Sequence, residues 1–141
     1  MIELHYIDVE VPGMSPELLV LWLNDCVLSE EKKPGVVNLI CCNDEYLFNI
    51  NKEFLKHSYY TDIITFDYCE NDVVGGDLYI SIDRVKENAE SLKEPFNTEF
   101  RRVCIHGVLH LCGFSDKSHQ QKKAMRDKEN YYLEKYVSRG T

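Results

Sequence analysis

The chain has 141 residues, 44% of them hydrophobic, which is enough for a domain with a real core. Its formal net charge of −8 argues against a protein that coats nucleic acid without specificity. The segment Met1-Ile2-Glu3-Leu4-His5 lacks the basic flank of a secretory signal, and runs such as Leu18 to Leu23 are too short for a membrane span, so a soluble cytoplasmic protein is expected.

Alternation over Ile2 to Glu10 predicts a first strand. Ser15-Pro16 offers an N-cap followed by proline in the first turn, and Leu18, Leu19, Trp22, Leu23, Cys26 and Val27 share one helical face to about Glu30. Pro34-Gly35 breaks the chain before a compact strand from Val36 to Cys42. Asn43 or Asp44 caps a second helix with Tyr46, Leu47, Ile50 and Phe54 on one face. Thr61 to Tyr68 has strand composition, and Gly75-Gly76 turns it into a short strand from Asp77 to Ser81. A third helix carries Ile82, Val85, Ala89 and Leu92 and stops before Pro95. A fourth starts near Asn97 or Thr98, and a fifth runs from about Ser118 to Tyr136.

The order β-α-β-α-β-β-α-α-α predicts an α+β fold, an α/β-type sandwich with a mixed sheet of about four strands and about five helices. No linker, repeat or low-complexity tract interrupts it, so one domain is expected over residues 1–141. The cysteines (Cys26, Cys41, Cys42, Cys69, Cys104, Cys112) form no Cys-x-x-Cys pair and sit in or beside apolar segments. Most of them read as buried, reduced side chains rather than disulfides or thiolate ligands.

The segment Arg101 to Asp116 reads RRVCIHGVLHLCGFSD. Phe100, Val103, Cys104, Gly107, Val108 and Leu111 form an apolar helical stripe. His106 and His110, four apart, leave an adjacent face one turn from each other, where two imidazole nitrogens can reach one ion. Gly113 can end the helix in the left-handed conformation and let the chain return a third ligand. Two residues compete for that place. Asp116 lies ten residues after His106, the separation usual for metal proteins with a glycine turn after a two-histidine helix, and is preferred. His119 is the alternative, near the start of a new helix where Ser118 and Gln121 can form a capping box.

Two histidines and one carboxylate leave a coordination position open for water, as in catalytic zinc sites. His106 and His110 would then act on a substrate through water activated by the ion. Metalloproteases of this spacing place Glu directly after the first histidine as general base. Gly107 stands there, so the site reads as metallic but not proteolytic.

From Glu99 to Lys128 seven basic residues face three acidic ones, a local charge of +4 that leaves −12 on the remainder. Alone such a run reads as a solvated face; beside the histidines it suggests phosphate binding. Arg101, Arg102, Lys122, Lys123 and Arg126 are the candidate contacts. Asp62 and Asp77 are candidates to support the metal ligands, with strand-edge or turn capping as their alternative role.

The segment His106 to Gly113, HGVLHLCG, resembles the signature of the YbeY family of metal-dependent endoribonucleases of ribosomal RNA maturation. Asn51, Thr61-Asp62-Ile63-Ile64-Thr65-Phe66 and Gly76-Asp77-Leu78-Tyr79-Ile80-Ser81 are similar to further family motifs, in the same order. The resemblance covers roughly Asn51 to Met125. It implies a mixed sheet with surrounding helices, a metal (zinc first among candidates) in a cleft beside the sheet, single-strand-directed cleavage of small-subunit ribosomal RNA, and association with ribosomes. Two positions depart from the family pattern. Asp116 stands where the family usually has a third histidine, and its added negative charge should weaken the metal as a Lewis acid. Leu55 stands where the family usually has an arginine, followed by Lys56 and His57 as candidates to replace part of its role.

Overall fold

The computed structural model describes the backbone of residues 1–140 and the side chains of residues 1–136. Its elements follow the expected order: β1 (Ile2–Tyr6), α1 (Pro16–Ser29), β2 (Lys33–Cys42), α2 (Asp44–Leu55), β3 (Ile63–Asp67), β4 (Val73–Ser81), α3 (Ile82–Leu92), α4 (Phe96–Leu111) and α5 (His119–Gly140). The strands form one mixed sheet in the order β1-β2-β4-β3. β1, β2 and β4 run parallel, and β3 pairs antiparallel to β4 as an edge strand. This is the α+β fold expected from the sequence.

The main core lies between the sheet and the helices α1 and α4, where Leu19, Leu23, Leu78, Ile80, Phe100 and Leu109 are fully buried. Alternation along β4 sends Leu78 and Ile80 to this side and Asp77 and Tyr79 to the other. On that second side Leu47 of α2 packs with Cys42 and Ile64. α5 is held from behind, with the Trp22 indole donating to the Tyr132 carbonyl at 2.7 Å. Its buried Met125, Tyr132 and Leu133 extend the same core.

Several local features differ from the sequence expectation. β1 ends at Tyr6 rather than Glu10, because Asp8 takes a left-handed φ of 55° and turns the chain away from β2. Pro34-Gly35 does not break the chain but sits inside β2 as an irregularity, with the register to β4 shifting between Pro34 and Val37. Gly75-Gly76 is likewise no turn. Asn71, at φ 54°, lies in the turn between β3 and β4, and both glycines belong to β4. Gly76 is required by crowding: a Cβ there would lie 2.4 Å from the Phe66 carbonyl oxygen and 2.9 Å from Leu111.

The buried face of α2 is Leu47 and Asn51, not the full set Tyr46, Leu47, Ile50 and Phe54. Tyr46 and Phe54 stay exposed on the outer sheet face, Tyr46 nearly parallel to Tyr79 with ring centroids 6.5 Å apart and Phe54 perpendicular to Phe66 at 6.3 Å. Leu92 is also exposed, because α3 ends beside it at Lys93 in the left-handed conformation. The six cysteines are free. Burial pushes the thiols of Cys41 and Cys42 up to about 12, as expected for unreactive side chains.

Candidate metal centre

α4 crosses the sheet close to β3 and β4, and Gly107 permits the approach. A Cβ on Gly107 would lie 2.7 Å from Ile63 and 3.0 Å from Leu78. The residue after His106 therefore faces the sheet. A carboxylate at this position would enter the core instead of reaching the histidines, so the protease base is excluded by geometry as well as by identity.

Gly113, at φ 108°, ends α4. The Phe114 amide donates to the Leu109 carbonyl and the Gly113 amide to the His110 carbonyl, both at 3.0 Å, which is the Schellman pattern. The chain reverses and its Phe114 carbonyl accepts from His110 Nδ1 at 2.9 Å. Two residues further on, Asp116 reaches the same point. Its Oδ2 lies 3.3 Å from His106 Nε2 and 3.5 Å from His110 Nε2, and the two Nε2 atoms are 3.0 Å apart. Ser118 and Gln121 then form the expected capping box, with the Gln121 amide donating to Ser118 Oγ and the Ser118 amide to Gln121 Oε1. That box commits His119 to the exposed first turn of α5. Among the described residues, His106, His110 and Asp116 make the cluster able to hold a metal ion, and His119 is not part of it.

The donor chemistry fits a cation. His106 Nδ1 is 2.7 Å from Glu129 Oε2, and His110 Nδ1 faces the Phe114 carbonyl; a carboxylate and a carbonyl only accept. Each ring therefore carries its proton on Nδ1 and turns an Nε2 lone pair inward. Two such lone pairs and a carboxylate oxygen converging at 3.0–3.5 Å repel one another unless positive charge lies among them. Ligands 2.0–2.1 Å from a tetrahedral zinc ion stand about 3.4 Å from one another, close to the observed spacing. The local field agrees. Burial alone lowers the pKa of His106, but the hydrogen bond and charge of Glu129, with Asp116 and Asp62, outweigh it and leave the imidazole raised.

Two clefts meet at the cluster. One, of about 530 Å³, runs beside β3 and is lined by Thr61, Asp62, Thr65 and Asp67 together with His106, His110 and Asp116. The other, of about 290 Å³, lies between α4 and α5 and takes in Glu99, Arg102, Lys122, Arg126 and Glu129. Three of the five predicted phosphate contacts, Arg102, Lys122 and Arg126, thus lie on the second cleft. Arg101 turns elsewhere, its guanidinium 4.3 Å over the Tyr136 ring, and Lys123 lines neither cleft.

Asp62 borders both clefts, and Asn88 donates to its Oδ2 at 3.2 Å. Burial raises its pKa against the opposing charge of His106. Asp77 lies on the opposite sheet face, where it accepts from Asn38 Nδ2 at 3.0 Å, and so does not support the histidines. Leu55, Lys56 and His57 line neither cleft. Lys56 caps α2, and His57 pairs with the Tyr59 hydroxyl at 3.0 Å. The partner that sequence reasoning missed is Glu129. Its one visible signal is an acid on the α5 stripe that includes Met125, Tyr132 and Leu133.

The sequence model described as Endoribonuclease YbeY matches residues 11–137. A protein named Endoribonuclease YbeY from Flavobacterium psychrophilum is 46% identical over 134 residues, which is 94% of each chain. A protein of the same name from Porphyromonas gingivalis is 45% identical over 89% of this chain and 83% of its own. The solution structure of TM1509 from Thermotoga maritima superposes with a TM-score of 0.71 at 29% identity, covering 99% of this chain and 91% of that one. With its histidine helix, its returning Asp116 and a match that runs nearly end to end, this chain belongs to the Endoribonuclease YbeY family.

Proposed function

We propose that this chain is a single-domain, metal-dependent endoribonuclease that cuts single-stranded RNA during maturation of small-subunit ribosomal RNA, in the cytoplasm and in association with ribosomes. His106, His110 and Asp116 hold one divalent ion, with zinc first among the candidates. The observation that carries this reading is the convergence of two inward-facing Nε2 atoms and Asp116 Oδ2 at the meeting of two clefts. Family membership supplies the substrate class.

A divalent ion held there supplies Lewis acidity toward a phosphodiester and activates water at neutral pH. The protein's own groups do the rest. Glu129 and the Phe114 carbonyl keep the imidazole protons on Nδ1 and the rings aimed. Arg102 is fixed by Glu129 Oε1 at 3.2 Å and Asn130 Oδ1 at 2.9 Å and presents charge along the cleft wall. Lys122 and Arg126 hold backbone phosphates, which offsets the overall −8. The packed Gly107 argues against peptide hydrolysis.

The test is cleavage of single-stranded RNA and of peptide by protein of defined metal content. Wild type should cut RNA and leave peptide intact, and His110→Ala should lose metal and RNA cleavage together. A His110→Ala protein that loses its metal yet cuts RNA at the wild-type rate would show the metal-based reading to be wrong.

A further inference from the structure

The cleft between α4 and α5 holds more than phosphate-binding cations. Glu99, in the first turn of α4, is only 4% exposed, yet it lines this cleft and its Oε1 has no hydrogen-bond partner. The nearest cation, Arg102 Nε, stands 3.9 Å away and is itself unpartnered. A buried carboxylate with a free acceptor is costly unless a donor reaches it. A second metal ion is not that donor: among the described residues, the histidine and Asp116 cluster is where three ligand atoms converge.

The rest of the cleft suggests what the donor belongs to. Ile63, Val103 and Met125 give it apolar walls, Lys122 and Arg126 give it a cationic border, and His106 and Asp116 stand at one end. Apolar walls suit the faces of a planar ring, a buried carboxylate suits its hydrogen-bonding edge, and the cations suit an attached phosphate. The volume of about 290 Å³ is at the lower end for a small-ligand pocket.

We propose that this cleft is a nucleobase pocket for the nucleotide next to the cut phosphate, and that Glu99 reads the base through its N–H donors. Guanine is the preferred occupant, because its N1–H and exocyclic amino group present two adjacent donors to one carboxylate. Uracil offers a single ring N–H flanked by two carbonyls, which a carboxylate repels. The inference rests on the RNA-cleaving role proposed above and adds a base preference to it.

The test uses the full chain with chelator present, so that RNA is bound but not cut. Fluorescence anisotropy measures its affinity for single-stranded oligouridylates in which one position is guanosine, inosine or uridine. Inosine removes only the exocyclic amino group. Guanosine should bind about tenfold or more tighter than uridine, with inosine between them, and Glu99→Gln should narrow the guanosine-to-uridine ratio to about twofold. Metal-loaded wild type should cut beside the guanosine. Equal binding of all three oligonucleotides by wild type, with RNA still cut, would overturn the pocket and leave the nuclease reading standing. An unchanged ratio in Glu99→Gln would overturn the role of Glu99. Failure of wild type to bind or cut any of them would overturn both readings. The comparison of guanosine with inosine needs no variant, so it holds even if Glu99→Gln misfolds.

Discussion

His106 of α4 donates from Nδ1 to the buried Glu129 of α5 across 2.7 Å, and the same carboxylate accepts from Arg102 at 3.2 Å. One acid thus sets the tautomer of a metal ligand and anchors a cation on the cleft wall. It is held by the packing of α5, whose Tyr132 carbonyl accepts from the Trp22 indole N–H.

Replacing Glu129 with Gln should therefore weaken metal binding without removing a ligand. Loss of such a supporting partner typically costs about 10- to 100-fold in affinity. Competition against a chromophoric chelator checks this. An unchanged metal affinity would show that the contact does not orient His106.

Gly76→Ala should destabilise the fold by about 1–3 kcal/mol, the usual range for overpacking. The new Cβ would meet the Phe66 carbonyl, a backbone atom that cannot rotate away, and would push on the edge strand beside the histidines. Urea denaturation measures the loss. A variant as stable as wild type would mean that β3 moves freely at this point.

A Gly-Gly pair has turn composition, and nothing local reveals that Phe66 and Leu111 close on it from other elements. Local devices were legible. The Ser15 cap, the Ser118–Gln121 box and the Gly113 terminator each depend on residues within one turn of chain. The histidine pair belongs with them, because helix geometry alone brings i and i+4 together. Asp116 is legible as a returning residue, and spacing favours it over His119. Glu129 is not, since its place depends on how α5 docks against α4. The face of Asp77 is not legible for a related reason: strand alternation sets it opposite Leu78, and only the packing of Leu78 on Gly107 fixes which side that is.

Stability should depend on pH through Glu99. Burial, only partly opposed by Arg102, raises its carboxyl from 4.5 to about 6. An acid with a raised folded pKa favours the fold when protonated. Its contribution is fully present below about 4.5 and is lost as pH rises through about 6. Glu99→Gln should match wild type at pH 4 and exceed it by about 1–2 kcal/mol at pH 7, read from denaturation curves at both values. A constant difference across that range would contradict the buried, charge-averse environment.

Lys122 and Lys123 are adjacent in sequence but differ in place, since Lys122 lines the cleft and Lys123 does not. Lys122→Ala should reduce the slope of log affinity for single-stranded RNA against log salt by about 0.7, the value for one lost phosphate contact. Lys123→Ala should leave the slope unchanged. Equal effects from both would mean that phosphate binding follows the whole face of α5 and not the cleft.

X-ray absorption on the zinc-loaded protein tests the central claim most directly, because it counts the ligands of the ion itself. The account predicts two imidazole nitrogens at about 2.0–2.1 Å with the remaining ligands oxygen, and an unchanged nitrogen count in His119→Ala. Three imidazoles, with one lost in His119→Ala, would contradict the assignment of Asp116 and the site built on it.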